Sequence, residues 1–339
     1  MILILLLMLA VLVTGGVCIF TGSSGMTAGE TFDALFFKGT AAHERIIWSI
    51  RIPRALAAVI AGAGLSLSGI LMQTTLNNPM ASPSTLGVSN AAVFGANLSI
   101  IAFAGGFITT GSSISDFTFG VNPYSTSLMA FVFSVLSVLG ISALCRLRSF
   151  SPDVVVLAGI AVGSVWTAAT TVLQFYATDV GISAAVVWSF GDLGRATYKT
   201  DAIMLAVVGI GFILSWLMSW KLNVLLSGDA AARSMGIRVD MLRFSALITA
   251  SVITAVCVSF LGVIGFVGII CPHITKKLIG QDHRFSLPVS ALGGSLLLLA
   301  SDTLSRCIGN GSALPVGAIT TLLGAPFFIA IIFSRRVRV

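Results

Sequence analysis

Charge is what this sequence has least of. Asp, Glu, Lys and Arg make up 9% of the 339 residues against 56% hydrophobic ones, and the mean hydropathy is +1.04. A water-soluble domain of that composition would carry large exposed apolar patches, so the soluble classes are excluded and an integral membrane protein is left. Cysteine is scarce as well: Cys18, Cys145, Cys257, Cys271 and Cys307 are scattered, odd in number and without a Cys-x-x-Cys pair. They suggest neither a disulfide framework nor a thiolate zinc site and read as small buried hydrophobes. No Gly-Lys dipeptide occurs, which excludes the phosphate-cradling Gly-x-x-x-x-Gly-Lys-Ser/Thr loop and an ATPase on the same chain. The histidines His43, His273 and His283 form no His-Glu-x-x-His, so a zinc protease is excluded too. His273, next to Pro272, could cap a helix, line a path or ligate a metal. No carboxylate lies in the middle of a hydrophobic run, which disfavours a proton- or sodium-driven carrier. Asp302 comes nearest, at a run's end, four residues before Arg306 on the same helical face.

What the chain does have is long, continuous apolar runs such as Ile2–Phe20, Ala202–Trp220 and Phe285–Ala300. Their length suits helices crossing a hydrocarbon core. A transmembrane barrel would instead alternate apolar and polar residues over about ten positions. The sequence therefore predicts an all-α integral membrane protein, a single transmembrane domain over 1–339. Its spans fall near 2–20, 54–73, 86–108, 125–145, 154–176, 202–220, 242–261, 265–280, 285–302 and 315–334, about ten in all. The 2–20 run has no charged leader segment before it and no clear cleavage pattern after it, and is kept as the first span. Small residues in Ala61–Gly69, which lack Gly-x-Gly-x-x-Gly spacing, read as a close helix–helix contact.

Twelve of the 19 basic residues fall on one side of this arrangement: Arg146, Arg148, Lys221, Arg233, Arg238, Arg243, Lys276, Lys277, Arg284, Arg335, Arg336 and Arg338. By the positive-inside rule that side is cytoplasmic, with both termini. The net charge of +7 is thus a topology signal, and no nucleic-acid partner is read into it. Arg243 and Lys276 both belong inside, so the residues between them must cross twice, and two full helices do not fit. One crossing must be short or broken, with Leu261–Gly268 followed by Pro272 as its place; such backbone is tolerated only when buried in protein or lining a watery cavity. The outer stretch 21–50 is expected to include a short surface helix. The longest polar stretch inside, Asn223–Arg243, contains Ser227–Gly236, which reads as a short helix with a possible Ser or Asp cap and a Gly stop, suited to docking.

Several ordered motifs are specific. Arg51-Ile-Pro-Arg54, Ala61-Gly-Ala-Gly-Leu-x-x-Ser-Gly69, Gln73, Asn78-Pro-Met-Ala-x-Pro83 and Leu86-Gly-Val-Ser89 are followed by Gly265-Phe-Val-Gly268, Pro272-His-Ile274, Gly280-x-Asp-His-Arg284, Asp302-x-x-x-Arg306, Leu314-Pro-Val-Gly317 and Gly324-Ala-Pro-Phe327. From about residue 45 onward the chain resembles the FecCD family, the permeases of ATP-binding-cassette (ABC) importers for iron–siderophores, haem and cobalamin.

The resemblance implies a ten-helix subunit working as a homodimer in the inner or plasma membrane of a prokaryotic cell. Two cytoplasmic ATPase subunits would bind the ATP and magnesium, leaving no cofactor, metal or catalytic residue on this chain. Their docking site corresponds to 222–238, with Ser227, Gly228, Asp229, Ala231, Ala232, Arg233, Met235 and Gly236. An extracytoplasmic substrate-binding protein would meet Arg51, Arg54 and Arg306, whose planar forks suit carboxylates; the same arginines could instead snorkel at the interface. The inner gate corresponds to Asn78, Met80, Ser151, Pro152 and Asp153. Gln174, Trp188 and Phe190, with 191–195, become candidates for the pathway and outer gate, although aromatics there could equally be interface residues. Two departures are visible: Ala313 stands where an acid is common, and Thr275-Lys276 where Arg is frequent. The implied cargo is an iron chelate, siderophore-bound or haem, with cobalamin or a molybdate-like oxyanion as alternatives. An ion-coupled secondary transporter is the rival class.

Overall fold

The computed structural model describes residues 2–22, 25–84, 86–103, 123–148, 151–308 and 314–334. Its helices run α1 (Ile2–Phe20), α2 (Ala28–Leu35), α3 (Ala41–Ile46), α4 (Ile52–Thr75), α5 (Val88–Asn97), α6 (Pro123–Arg148), α7 (Pro152–Phe175) and α8 (Asp179–Ser189). They continue with α9 (Tyr198–Leu217), α10 (Ser219–Leu225), α11 (Asp229–Ser234), α12 (Val239–Leu261), α13 (Val267–Ile279), α14 (His283–Ile308) and α15 (Val316–Ser334). Each of the ten expected spans coincides with one of these: α1, α4, α5, α6, α7, α9, α12, α13, α14 and α15. Seven helices among the described residues are long and apolar enough to cross a membrane, and α5 with its extension, α8 and α15 are shorter apolar ones. The ends of two expectations, residues 104–108 and Arg335, Arg336 and Arg338, lie outside the described residues, as does Ala313.

The bundle is organised around α4, which packs against α14, α12, α13 and α9 and is buried over most of its length. Small residues make this possible. A methyl group on Gly62 would strike the backbone of Gly294, and one on Gly69 the carbonyl of Gly268. Ser66 Oγ, between them, meets Ser290 Oγ at 2.7 Å. These are the close backbone approaches expected of Ala61–Gly69, since without a methylated surface the helix axes can come together and gain dispersion contact. By contrast α1 lies at the edge of the bundle against α14, with 11% of its apolar window buried.

The outer stretch forms α2 and α3. Thr27 and Glu30 build a capping box at the start of α2, satisfying two of the orphan N–H groups of its first turn. α3 runs into α4 through a π turn, Ile47–Arg51. Pro53 accounts for that turn: it has no N–H for the carbonyl four residues back, and widening the turn relieves the clash.

The broken crossing is present where expected. α12 ends at Leu261, residues 262–266 are not helical, and α13 has 13 residues. Its rise of about 20 Å falls short of the roughly 30 Å hydrocarbon core, and the five non-helical residues supply roughly the remainder. Part of the freed backbone is satisfied by the protein: Gly262 N–H donates to Val258 O at 2.8 Å, Val267 N–H donates to Gly265 O at 2.8 Å, and Asp192 N–H donates to Leu261 O at 2.7 Å. Leu261, Ile264 and Val267 are buried, as irregular backbone at membrane depth requires. His273 does not cap this helix. It lies inside α13 with its ring edge-on to Phe327, centroids 5.9 Å apart.

Candidate functional site

Polar side chains gather at the two ends of α4. At its first turn, Arg54 Nε donates to Asp302 Oδ1 at 2.7 Å, and Arg306 Nε lies 3.1 Å from Asp302 Oδ2. The i,i+4 pair of Asp302 and Arg306 read from the sequence is therefore formed, but Asp302 is wholly buried and serves Arg54 as well. Arg306 also holds the end of α1, donating from Nη1 to Thr21 O at 2.7 Å and from Nη2 to Cys18 O at 3.0 Å. Arg51 Nη1 donates to Ile19 O at 2.7 Å. The last carbonyls of α1, which have no partner within their own helix, are thus taken up by two guanidinium groups.

This geometry bears on the docking residues inferred from the resemblance. Arg51, Arg54 and Arg306 are 4%, 8% and 8% exposed, with their donors turned into the chain. Arg54 Nη2 alone of the Arg54 nitrogens is buried without a hydrogen-bond partner among the described residues. Nearby, Arg195 donates to Trp188 O at 3.0 Å and Val187 O at 2.9 Å, and burial pulls its pKa down. Trp188 is packed in the core beneath that guanidinium, while Phe190 stands exposed. Gln174 Nε2 donates to Asn97 Oδ1 at 2.8 Å, tying the end of α7 to α5.

At the other end of α4, three successive residues each meet a basic side chain from a different helix. Gln73 Oε1 accepts from Lys276 Nζ of α13 at 3.1 Å, Thr74 Oγ1 meets His283 Nε2 of α14 at 2.8 Å, and Thr75 O accepts from Arg243 Nε of α12 at 3.0 Å. Since Arg243 and Lys276 reach neighbouring residues, the chain between them does cross and return. Asn223 Oδ1 accepts from His283 N at 2.8 Å, and Asn223 Nδ2 donates to Asp282 Oδ1 at 2.8 Å. The Arg284 N–H and the Asn223 amide hold the Asp282 carboxyl below its usual pKa.

Arg243 links this end to the short polar helix. Its Nη1 and Nη2 donate to Asp229 Oδ2 and Oδ1 at 2.9 and 2.8 Å, a two-pronged contact that fixes direction as well as distance. Asp229 opens α11, the helix expected within Ser227–Gly236. Gly228 and Gly236 on either side have φ of 98° and 78°, angles at which a β-carbon would be strained. Ala232 is buried beneath α11, Asp229 and Ala231 are half-buried, and Ser227, Gly228, Arg233, Met235 and Gly236 are exposed. The helix start carries no side-chain cap from Ser227. Arg233 instead pairs loosely with Asp240 at 3.4 Å on the surface.

The loop after α4 contains Asn78 and Met80. Asn78 Oδ1 accepts from Met80 N at 2.9 Å, closing a tight turn that leaves Met80 exposed. Ser151 precedes Pro152 and Asp153 at the start of α7 in extended conformation, without a side-chain cap. Sequence reasoning counted Arg243 as a basic flank and quoted Gln73 and His283 only as motif positions. A signal for Arg243 was present: an arginine one turn into a span, with a carboxylate fourteen residues earlier at the start of the polar helix. Asp201, in the first turn of α9, was also passed over; it is 4% exposed and neither oxygen has a hydrogen-bond partner among the described residues.

A polytopic helical bundle with one interrupted crossing and a polar helix fastened to its central span defines a membrane permease. Comparison with known proteins makes this specific: residues 4–334 match the FecCD transport family. The chain belongs to that family and is a permease of the ABC importer type. It is 34% identical to the hemin transport system permease protein HmuU of Yersinia pestis, over 97% of this chain and 96% of that one. It is 36% identical to the cobalamin import system permease protein BtuC of Halobacterium salinarum, over 86% of this chain and 74% of that one. Among solved structures, an inward-facing conformation of a provisionally assigned metal-chelate type ABC transporter has the same fold, with TM-score 0.82 at 24% identity and 98% of both chains covered.

Proposed function

We propose that this chain is the membrane subunit of an ATP-driven importer for an iron chelate, siderophore-bound or haem, acting as a homodimer with two separate ATPase subunits. The observation that carries this is the exposed helix α11, fastened through Arg243 to the end of α4 in a chain without a phosphate-binding loop of its own. ATP and magnesium are then held by the ATPase partners, which dock on 222–238 at the cytoplasmic face, with both termini on that side.

A groove beside α7 supports the cargo class. It has a volume of about 490 Å³ and is bounded by Ser84, Asn90, Gly163, Ser164, Thr167 and Thr171, small and hydroxylic residues with no charged side chain. A bare ion would want a ring of ligands; a bulky chelate needs width and weak, exchangeable hydrogen bonds. Cobalamin fits the same description and an oxyanion fits it less well. A binding protein docks at the Arg54 end, where the buried arginines frame the surface by holding α1, α4 and α14 together.

Asp201 is the observation a proton-coupled carrier would use, being a buried carboxylate in a span without a hydrogen-bond partner among the described residues. It sits at the helix start rather than mid-membrane, which favours the ATP-driven reading. Proteoliposomes decide between them. Uptake of ferric hydroxamate or haemin should require a Walker-motif partner, ATP and a binding protein; uptake driven by an ion gradient alone would overturn the proposal.

A further inference from the structure

We propose that Arg243 is the positioning residue that transmits movement of α11 to the loop after α4, a role that rests on reading α11 as the ATPase docking helix. Three contacts converge on this one side chain. Two of its nitrogens grip both oxygens of Asp229, at 2.9 and 2.8 Å, and its Nε donates to the carbonyl of Thr75 at 3.0 Å. Asp229 is the first residue of α11 and Thr75 the last of α4, so one planar guanidinium bridges the two helices. A lysine in its place could hold either partner but could not hold both in a fixed direction.

The bridge is rigid on one side and yielding on the other. The Arg243 side chain is 6% exposed and that of Asp229 42%, so the arginine is seated in the bundle while the carboxylate moves with α11. Beyond Thr75 the chain leaves the helix at once: Leu76 is its cap, and Asn77 has φ of 45°, a left-handed conformation uncommon for a residue with a side chain. Met80 follows on the turn closed by Asn78. A displacement of α11 therefore acts on the last carbonyl of α4, adjacent to the turn that presents Met80. Lys276 and His283, which hold Gln73 and Thr74 from α13 and α14, fix the preceding residues of α4, so the pull is confined to the end of the helix.

The test uses the complete complex with its ATPase subunits in proteoliposomes. Met80→Cys in a Cys307→Ser background is reacted with a soluble maleimide, nucleotide-free and after trapping with ATP and vanadate, and ATP hydrolysis is read on the same samples. The bridge predicts that the labelling rate at position 80 differs between the two states, and that Arg243→Gln abolishes this difference out of proportion to any change in hydrolysis. Asp229→Asn, at a half-exposed position where folding is not at stake, should do the same, and the double variant should be no worse than either single one. Full retention of the state-dependent labelling in either single variant, or additive losses in the double, would overturn the proposal. Labelling that ignores ATP in the Met80→Cys protein with Arg243 and Asp229 intact, despite co-purification of an active ATPase, would overturn it through the underlying reading of α11.

Discussion

Replacing Asp302 by Asn tests whether the arginine cluster at the Arg54 end is a structural frame. The substitution keeps shape and removes one charge from a group that is fully buried and shared by Arg54 at 2.7 Å and Arg306 at 3.1 Å. Both guanidinium groups are themselves buried, with side chains 10% and 6% exposed. Taking one partner from a buried ion pair leaves uncompensated charge and costs about 3–5 kcal/mol, against about 0–1 kcal/mol for an exposed pair. At about 2 °C per kcal/mol, the low end of the range for large domains, Asp302→Asn should lower the midpoint of thermal unfolding in detergent by on the order of 5–10 °C. The assay is the loss of the monodisperse peak in fluorescence-detected size-exclusion chromatography after heating. Asp240→Asn, which removes the exposed partner of Arg233 at 3.4 Å, is the control and should move the midpoint little. A shift for Asp302→Asn no larger than that control would refute the reasoning and return the arginines to surface duty, free to meet an external carboxylate.

Gly69→Val places a side chain against the Gly268 carbonyl and should destabilise by about 1–3 kcal/mol or more through overpacking, seen as a lower unfolding midpoint. Asp201→Asn replaces a buried carboxyl that has no hydrogen-bond partner among the described residues; ATP-driven uptake should persist and stability should hold or rise, whereas loss of uptake with intact folding would favour ion coupling. Glu30 has its pKa lowered by the Thr27 backbone and side-chain hydrogen bonds. Its contribution to α2 is therefore full above the ordinary glutamate pKa and is lost as pH falls through the lowered folded value. Amide exchange at Thr27 and Glu30 should rise on acidification, and Glu30→Gln should flatten that pH dependence.

Hydropathy and the positions of Lys and Arg were sufficient to locate ten spans, because crossing a bilayer imposes a length and a composition on each segment by itself. The same local logic exposed the interrupted crossing: 32 residues between two basic groups expected on the same side cannot hold two full helices. Short-range signals also found α11, since glycines and small residues act within one turn, although the carboxylate expected as a possible cap is instead held by Arg243. Family motifs supplied the ATPase and binding-protein partners, which no periodicity in this chain contains.

What the sequence could not decide was which side of a residue faces protein. Arg51, Arg54 and Arg306 are polar and lie near span ends, so composition makes them surface residues; only tertiary structure shows them turned inward onto Asp302 and the last carbonyls of α1. Trp188 reads as an interface or gate aromatic, and only the tertiary structure shows that its side chain is buried, lining a cavity beside Arg195. Arg243 lies 168 positions from Thr75 and 14 from Asp229, and its joint hold on both exists only once α12 stands beside α4. Spans are set by the chain's partition between water and lipid, residue by residue. Polar networks are set by which helices pack together, and that depends on glycine contacts such as Gly69 with Gly268, far apart in sequence.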